Sequence, residues 1–107
     1  MDMAFLVEKL GLTVRCGGDR LDREVSGGYV GDLLSNVMAG SKSGDVWVTC
    51  QAHQNIVAVS VLKEHAGIIL SDQIPIGELL GRLERLLQRV SADEMRNSLR
   101  YLQAFKD

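Results

Sequence analysis

The sequence predicts an α/β domain, a small largely parallel or mixed sheet flanked by helices, and three observations carry that prediction. Val46-Trp47-Val48-Thr49-Cys50 and Gly67-Ile68-Ile69-Leu70 are short runs rich in strand formers, the second apolar on both faces as a central strand is. Ile76, Leu79, Leu80, Leu83, Leu86, Leu87 and Val90 form an apolar stripe at helical spacing, with Glu78 and Arg82 i,i+4 on the opposite side. Strand-like and helix-like segments also alternate along the chain, with no internal repeat, low-complexity tract or long linker between them.

Residues 3–10 read as an amphipathic helix with Phe5, Leu6 and Leu10 on one face and Glu8 and Lys9 on the other. Gly11 supplies its left-handed cap. Residues 12–16 are strand-like, and each cysteine, Cys16 and Cys50, ends a β-like run where a buried free thiol is expected. Gly17-Gly18-Asp19 is a turn. Residues 22–30 begin and end β-like, broken by Gly27-Gly28, which suits a bulge or a close backbone approach. Asp32 is placed to cap a helix over residues 33–39 that Gly40 closes. Residues 54–64 are helix, entered through the polar turn Gln51-Ala52-His53-Gln54-Asn55, with His65 at its end, where a partly charged imidazole favours the dipole. Pro75 suits a first helical position, and Ser91-Ala92-Asp93-Glu94 reads as a capping box opening a last helix with the stripe Met95, Leu99 and Leu102.

Composition narrows the function. The 107 residues carry 12 basic and 14 acidic groups, a net charge of −2, which argues against nucleic acid as a partner. No apolar run reaches the length of a membrane span, and the start lacks the basic region of a signal peptide, so a cytoplasmic protein is expected. Residues 1–78 hold six basic and ten acidic groups, residues 79–107 six basic and four acidic. Arg82, Arg85, Arg89, Arg96 and Arg100 therefore give the tail a basic face, either solvated or a docking surface for an acidic partner. Two cysteines without a Cys-x-x-Cys and two unpaired histidines provide no metal spacing, and no cofactor is implied. The phosphate loop Gly-x-x-x-x-Gly-Lys-Ser/Thr, the Gly-x-Ser-x-Gly elbow and His-Glu-x-x-His are missing too, so no enzyme is expected.

Thr49, Gln51, His53, Gln54 and Asn55 cluster where a strand passes into a helix. In α/β sheets that junction either simply caps the helix or forms part of the crevice where ligands bind.

Residues 22–38, Asp-Arg-Glu-Val-Ser-Gly-Gly-Tyr-Val-Gly-Asp-Leu-Leu-Ser-Asn-Val-Met, resemble the signature of the DRTGG domain family, with Ser26 where the family usually has Thr. The likeness continues through Gly44-Asp45-Val46-Trp47-Val48-Thr49-Cys50-Gln51, His53, Asn55-Ile56-Val57-Ala58-Val59 and Ala66-Gly67-Ile68-Ile69, covering roughly residues 4–70. It implies a fold like the N-terminal domain of HPr kinase/phosphorylase, in a family of accessory modules associated with regulation and subunit contacts. The C-terminal half is shortened against that pattern by one helix–strand unit, which would leave a sheet edge to be covered by the last helix or by a second subunit.

The resulting expectation is a DRTGG-like domain over residues 1–90 and a C-terminal helix over 91–107 that packs on the domain or on a second subunit. The chain would be a non-catalytic regulatory homodimer, joined through Met95, Leu99 and Leu102, that senses a small anionic metabolite or nucleotide. Ser26, Gly27, Gly28, Thr49, Gln51, His53, Gln54 and Asn55 would line its site. The alternative is an interaction subunit without a ligand, docking a larger enzyme.

Overall fold

The computed structural model describes residues 1–50, 54–71 and 75–92. Four strands, β1 (Gly27–Val30), β2 (Asp45–Thr49), β3 (Gly67–Leu70) and β4 (Val90–Ala92), form one sheet in the order β3-β2-β1-β4, parallel throughout. Helices α1 (Met3–Leu10), α2 (Leu34–Gly40), α3 (Asn55–Leu62) and α4 (Ile76–Leu86) clad it.

The period of two in a strand sorts the core into two layers. Val30, Val46, Val48 and Ile69 point to one face and pack with Met3, Leu6 and Leu10 of α1 and Leu79, Leu80 and Leu83 of α4. Tyr29, Trp47, Ile68 and Leu70 alternate with them and meet Val37 of α2 and Ile56 and Val59 of α3 on the other face. The chain steps from β1 through β2 to β3. Then α4 carries it back past both to place β4 on the far side of β1. The result is a doubly wound arrangement with β3 and β4 at the two edges of the sheet.

Several elements follow from their residues. Gly11, at φ 66°, ends α1 as expected, and Asp2, which the sequence reading did not single out, starts it by accepting from the Phe5 amide at Oδ1 over 3.0 Å. Phe5 departs from the expectation: it is 36% exposed, with the Lys9 ammonium 5.6 Å from its ring centroid. Glu78 and Arg82 pair at 2.8 Å along α4. Gly40 is the last residue of α2, and a Cβ there would stand 2.9 Å from the Tyr29 ring. The helix can therefore pack closely on β1 only with glycine at that position.

Other expectations give way to tertiary context. Residues 12–16 form no strand: Leu12 packs against the core, but Val14 is 41% exposed and Cys16 is exposed, so the run buries no continuous face. Cys50, expected inside, is exposed as well. The glycine pair does not break a strand but begins β1, while Glu24 makes only an isolated antiparallel bridge to Asp2. Ser91 and Ala92 lie in β4, not at a helix start, because Ser91 registers against Tyr29 and Ala92 against Val30. Asp93, Glu94, Met95, Leu99 and Leu102 lie outside the described residues.

Candidate functional site

Register decides which of the expected site residues can meet. Gly27 lies opposite Asp45, and Thr49 follows four residues later on β2, so the two ends of the expected site are about 13 Å apart along the sheet. Ser26, Gly27 and Gly28 stand at the amino edge, and Thr49, Gln54 and Asn55 at the carboxyl edge. The structure does not bring them into one site. Gln51 and His53 lie outside the described residues.

At the amino edge the glycines serve the fold. Ser26 donates from Oγ to the Ser43 carbonyl at 3.3 Å. The Arg89 side chain lies across Gly27, where a Cβ would come within 2.6 Å of its Cζ, and the Gly28 amide donates to the Arg89 carbonyl at 2.9 Å. Arg89 ends this crossing on the fully buried Asp45, Nη2 to Oδ1, while Asp45 Oδ2 accepts from the Lys42 amide at 2.8 Å. One arginine assigned to the basic tail face is thus turned inward. Arg82 and Arg85 remain outside, lining with Lys9 a cleft of about 230 Å³ floored by Leu10 and Leu86.

His65 is no dipole partner at a helix end. It is 2% exposed, its ring 5.7 Å from that of Trp47. Ser41 spends its hydroxyl proton on the Val37 carbonyl at 2.6 Å, so at 2.8 Å it accepts from His65 Nε2. Nδ1 then accepts from Ser60 Oγ at 3.2 Å, which makes the ring the neutral Nε2–H tautomer. Burial lowers its pKa from 6.5, against an opposing pull from Asp45 and with a smaller push from Lys63. The folded state therefore binds fewer protons than the unfolded chain just below pH 6.5. Stability contributed by neutral His65 is complete above pH 6.5 and is lost as the pH falls through the lower folded pKa, at up to about 1.4 kcal/mol per pH unit. Urea unfolding between pH 7.5 and 5.5 should show this slope, and His65→Gln should flatten it; an unchanged slope in the variant would remove His65 as its source.

The carboxyl edge carries a cluster of polar groups, several of them bonded to one another. Asp32, expected to cap α2, turns away from it: the position before the helix is Leu33, without a side-chain cap bond. Its Oδ1 instead accepts from Thr49 Oγ1 at 2.6 Å and from the Cys50 amide at 2.7 Å, tying the end of β1 to the end of β2. Oδ2 has no partner among the described residues. Trp47 Nε1 donates to the Gly31 carbonyl at 2.9 Å and holds the same turn from the inside. Ser71, just past β3, donates from its amide to the Thr49 carbonyl and from Oγ to Cys50 Sγ, both at 3.0 Å. Gln54 and Asn55 are exposed at the start of α3, and Gln54 makes no cap bond. Asp32, Cys50 and Ser71 are the residues that sequence reasoning missed. Their only signal is position, each being the first or second polar residue beyond a strand of a parallel sheet.

No group of three or more His, Cys, Asp or Glu side chains among the described residues could hold a metal ion. No helix among them is long and apolar enough to cross a membrane. Comparison with known protein families, with curated proteins and with solved structures yields no match to this chain.

Proposed function

We propose that the chain is a non-catalytic regulatory module of the DRTGG type, a cytoplasmic homodimer that binds a nucleotide or another small anionic metabolite at the carboxyl edge of its sheet. The observation that carries this reading is the convergence of Asp32, Thr49, Cys50 and Ser71 from three successive strand ends, with Asn55 at the start of the helix that follows β2. In doubly wound sheets ligands bind outside the carboxyl ends of the strands. The free oxygen of Asp32 suits a sugar hydroxyl as donor, and the first amides of α3 suit a phosphate. His53 and Gln51 would add donors on the same connection. Ser26, Gly27 and Gly28 are not included, since they belong to the opposite edge.

Thermal unfolding of the full chain against adenine nucleotides, dinucleotides, reduced nicotinamide cofactors and acyl phosphates tests the reading. Ligand at 100 times its dissociation constant adds about 2.7 kcal/mol, a shift of roughly 10 °C for a domain of this size. Asn55→Ala should reduce the shift and leave assembly unchanged. A flat panel would refute the sensor and favour the second reading, an interaction subunit that docks a larger enzyme. That reading is supported by apolar side chains left exposed on α3, where Val61 is 72% and Leu62 68% exposed.

A further inference from the structure

The two faces of the sheet are clad by helices of opposite character. On one side α1 and α4 carry Glu8, Lys9, Glu78, Arg82, Glu84 and Arg85, the ordinary dress of helices in contact with water. On the other, α2 reads Leu-Ser-Asn-Val-Met-Ala-Gly and α3 reads Asn-Ile-Val-Ala-Val-Ser-Val-Leu, and neither contains a charged residue. Only Val37, Ile56 and Ser60 of these two helices are buried. Val57, Val61 and Leu62 are 58%, 72% and 68% exposed on α3, with Leu33 and Met38 at 48% and 37% beside and on α2. A helix that is apolar all round belongs in an interior, and here half of α3 has none.

We infer that the outer layer formed by α2 and α3 is a self-association surface whose occupant is a second copy of this chain, paired about a two-fold axis. Three features select that occupant. The exposed side chains amount to on the order of 500 Å² of apolar surface, at the upper end of what a lone monomer shows. With a polar rim from Ser35 and Lys63 it approaches the roughly 800 Å² per partner of a stable complex. Apart from Lys63 at its rim the face has no charge to recognise a charged partner, so its complement is another uncharged apolar face, and the molecule itself carries one. Finally, Val57–Val61 and Ala58–Leu62 are two i,i+4 rows. Identical rows of this kind interdigitate when two helices cross at about −50°, and the small Ala58 lets the backbones approach. An isologous interface requires such self-complementarity.

This deepens the homodimer part of the proposed function and moves the interface from Met95, Leu99 and Leu102 to the α2/α3 layer. It is tested without any ligand, so a flat ligand panel leaves it standing. Sedimentation equilibrium of the full chain should give twice the 11.7 kDa of one copy. The dimer constant should change by less than about threefold with salt, since no ion pair crosses the interface. Val61→Glu/Leu62→Glu should weaken the dimer at least about 100-fold, with the helical circular dichroism kept, because both side chains are already in water. If that double variant fails to fold, Val57→Lys alone provides the same reading at the other end of α3. A monomeric wild-type chain would overturn the inference and leave the face to a different protein. A dimer that survives both variants would overturn it in favour of another surface.

Discussion

Arg89→Ala should destabilise the protein by about 3 kcal/mol, the lower end of what is found when one member of a buried ion pair is removed. Asp45 is fully buried at the head of β2, and its carboxylate is satisfied from two sides, by the Lys42 amide and by the Arg89 guanidinium. Without Arg89 the charge remains in place with one amide for a partner. The arginine is itself one-third exposed, so water can enter the space it leaves, which keeps the loss from the top of the range. Urea denaturation measures the effect. Asp45→Asn in the Arg89→Ala background should recover part of it by removing the uncompensated charge. A loss below about 1 kcal/mol would mean that the pair is a surface contact in energetic terms.

Trp47→Ala should cost about 3–5 kcal/mol. Trp47 is fully buried in the centre of β2, packed with Tyr29, Val37 and Ile56, and its indole donates to the Gly31 carbonyl. Alanine would leave a cavity between the sheet and the α2/α3 layer and an unsatisfied carbonyl at the turn that carries Asp32. Trp47→Phe separates the two effects, retaining much of the volume and losing the hydrogen bond, at about 1–2 kcal/mol. Because Trp47 is the only tryptophan, unfolding has to be followed by circular dichroism. Near-equal losses for the two variants would place the energy in the hydrogen bond, not in packing.

Elements whose signal is local were legible in the sequence. Gly11 closes α1, the leucine stripe marks α4, and the β-branched runs mark β2 and β3. What escaped depends on partners distant along the chain. Val90 closes the helical stripe in the sequence and Ser91-Ala92 opens a capping box, yet α4 stops at Leu86 and Val90–Ala92 is a strand because β1 offers an open side. Asp32 has the composition and place of a helix cap, and nothing local reveals that the end of β2 competes for its carboxylate. The Gly27-Gly28 pair suits a bulge or a close backbone approach, and the structure shows a close approach, by the side chain of Arg89, 62 positions later than Gly27. The glycines and the Thr49 to Asn55 junction could be joined into one site only while the direction of the strands was open. Parallel pairing places them at opposite edges.

The return of the chain across the sheet also orders events in time. Strands β1, β2 and β3 are neighbours in sequence and in space, so they can find their register by closing short connections, whereas β4 must wait for α4 to lie down across them. Arg89 therefore reaches Asp45, 44 residues away, among the last contacts to form. On that order the aspartate keeps its water until the rate-limiting assembly is past. Arg89→Ala should then leave the folding rate almost unchanged and speed unfolding, shortening the lifetime of the native molecule, as stopped-flow folding and unfolding rates in urea would show.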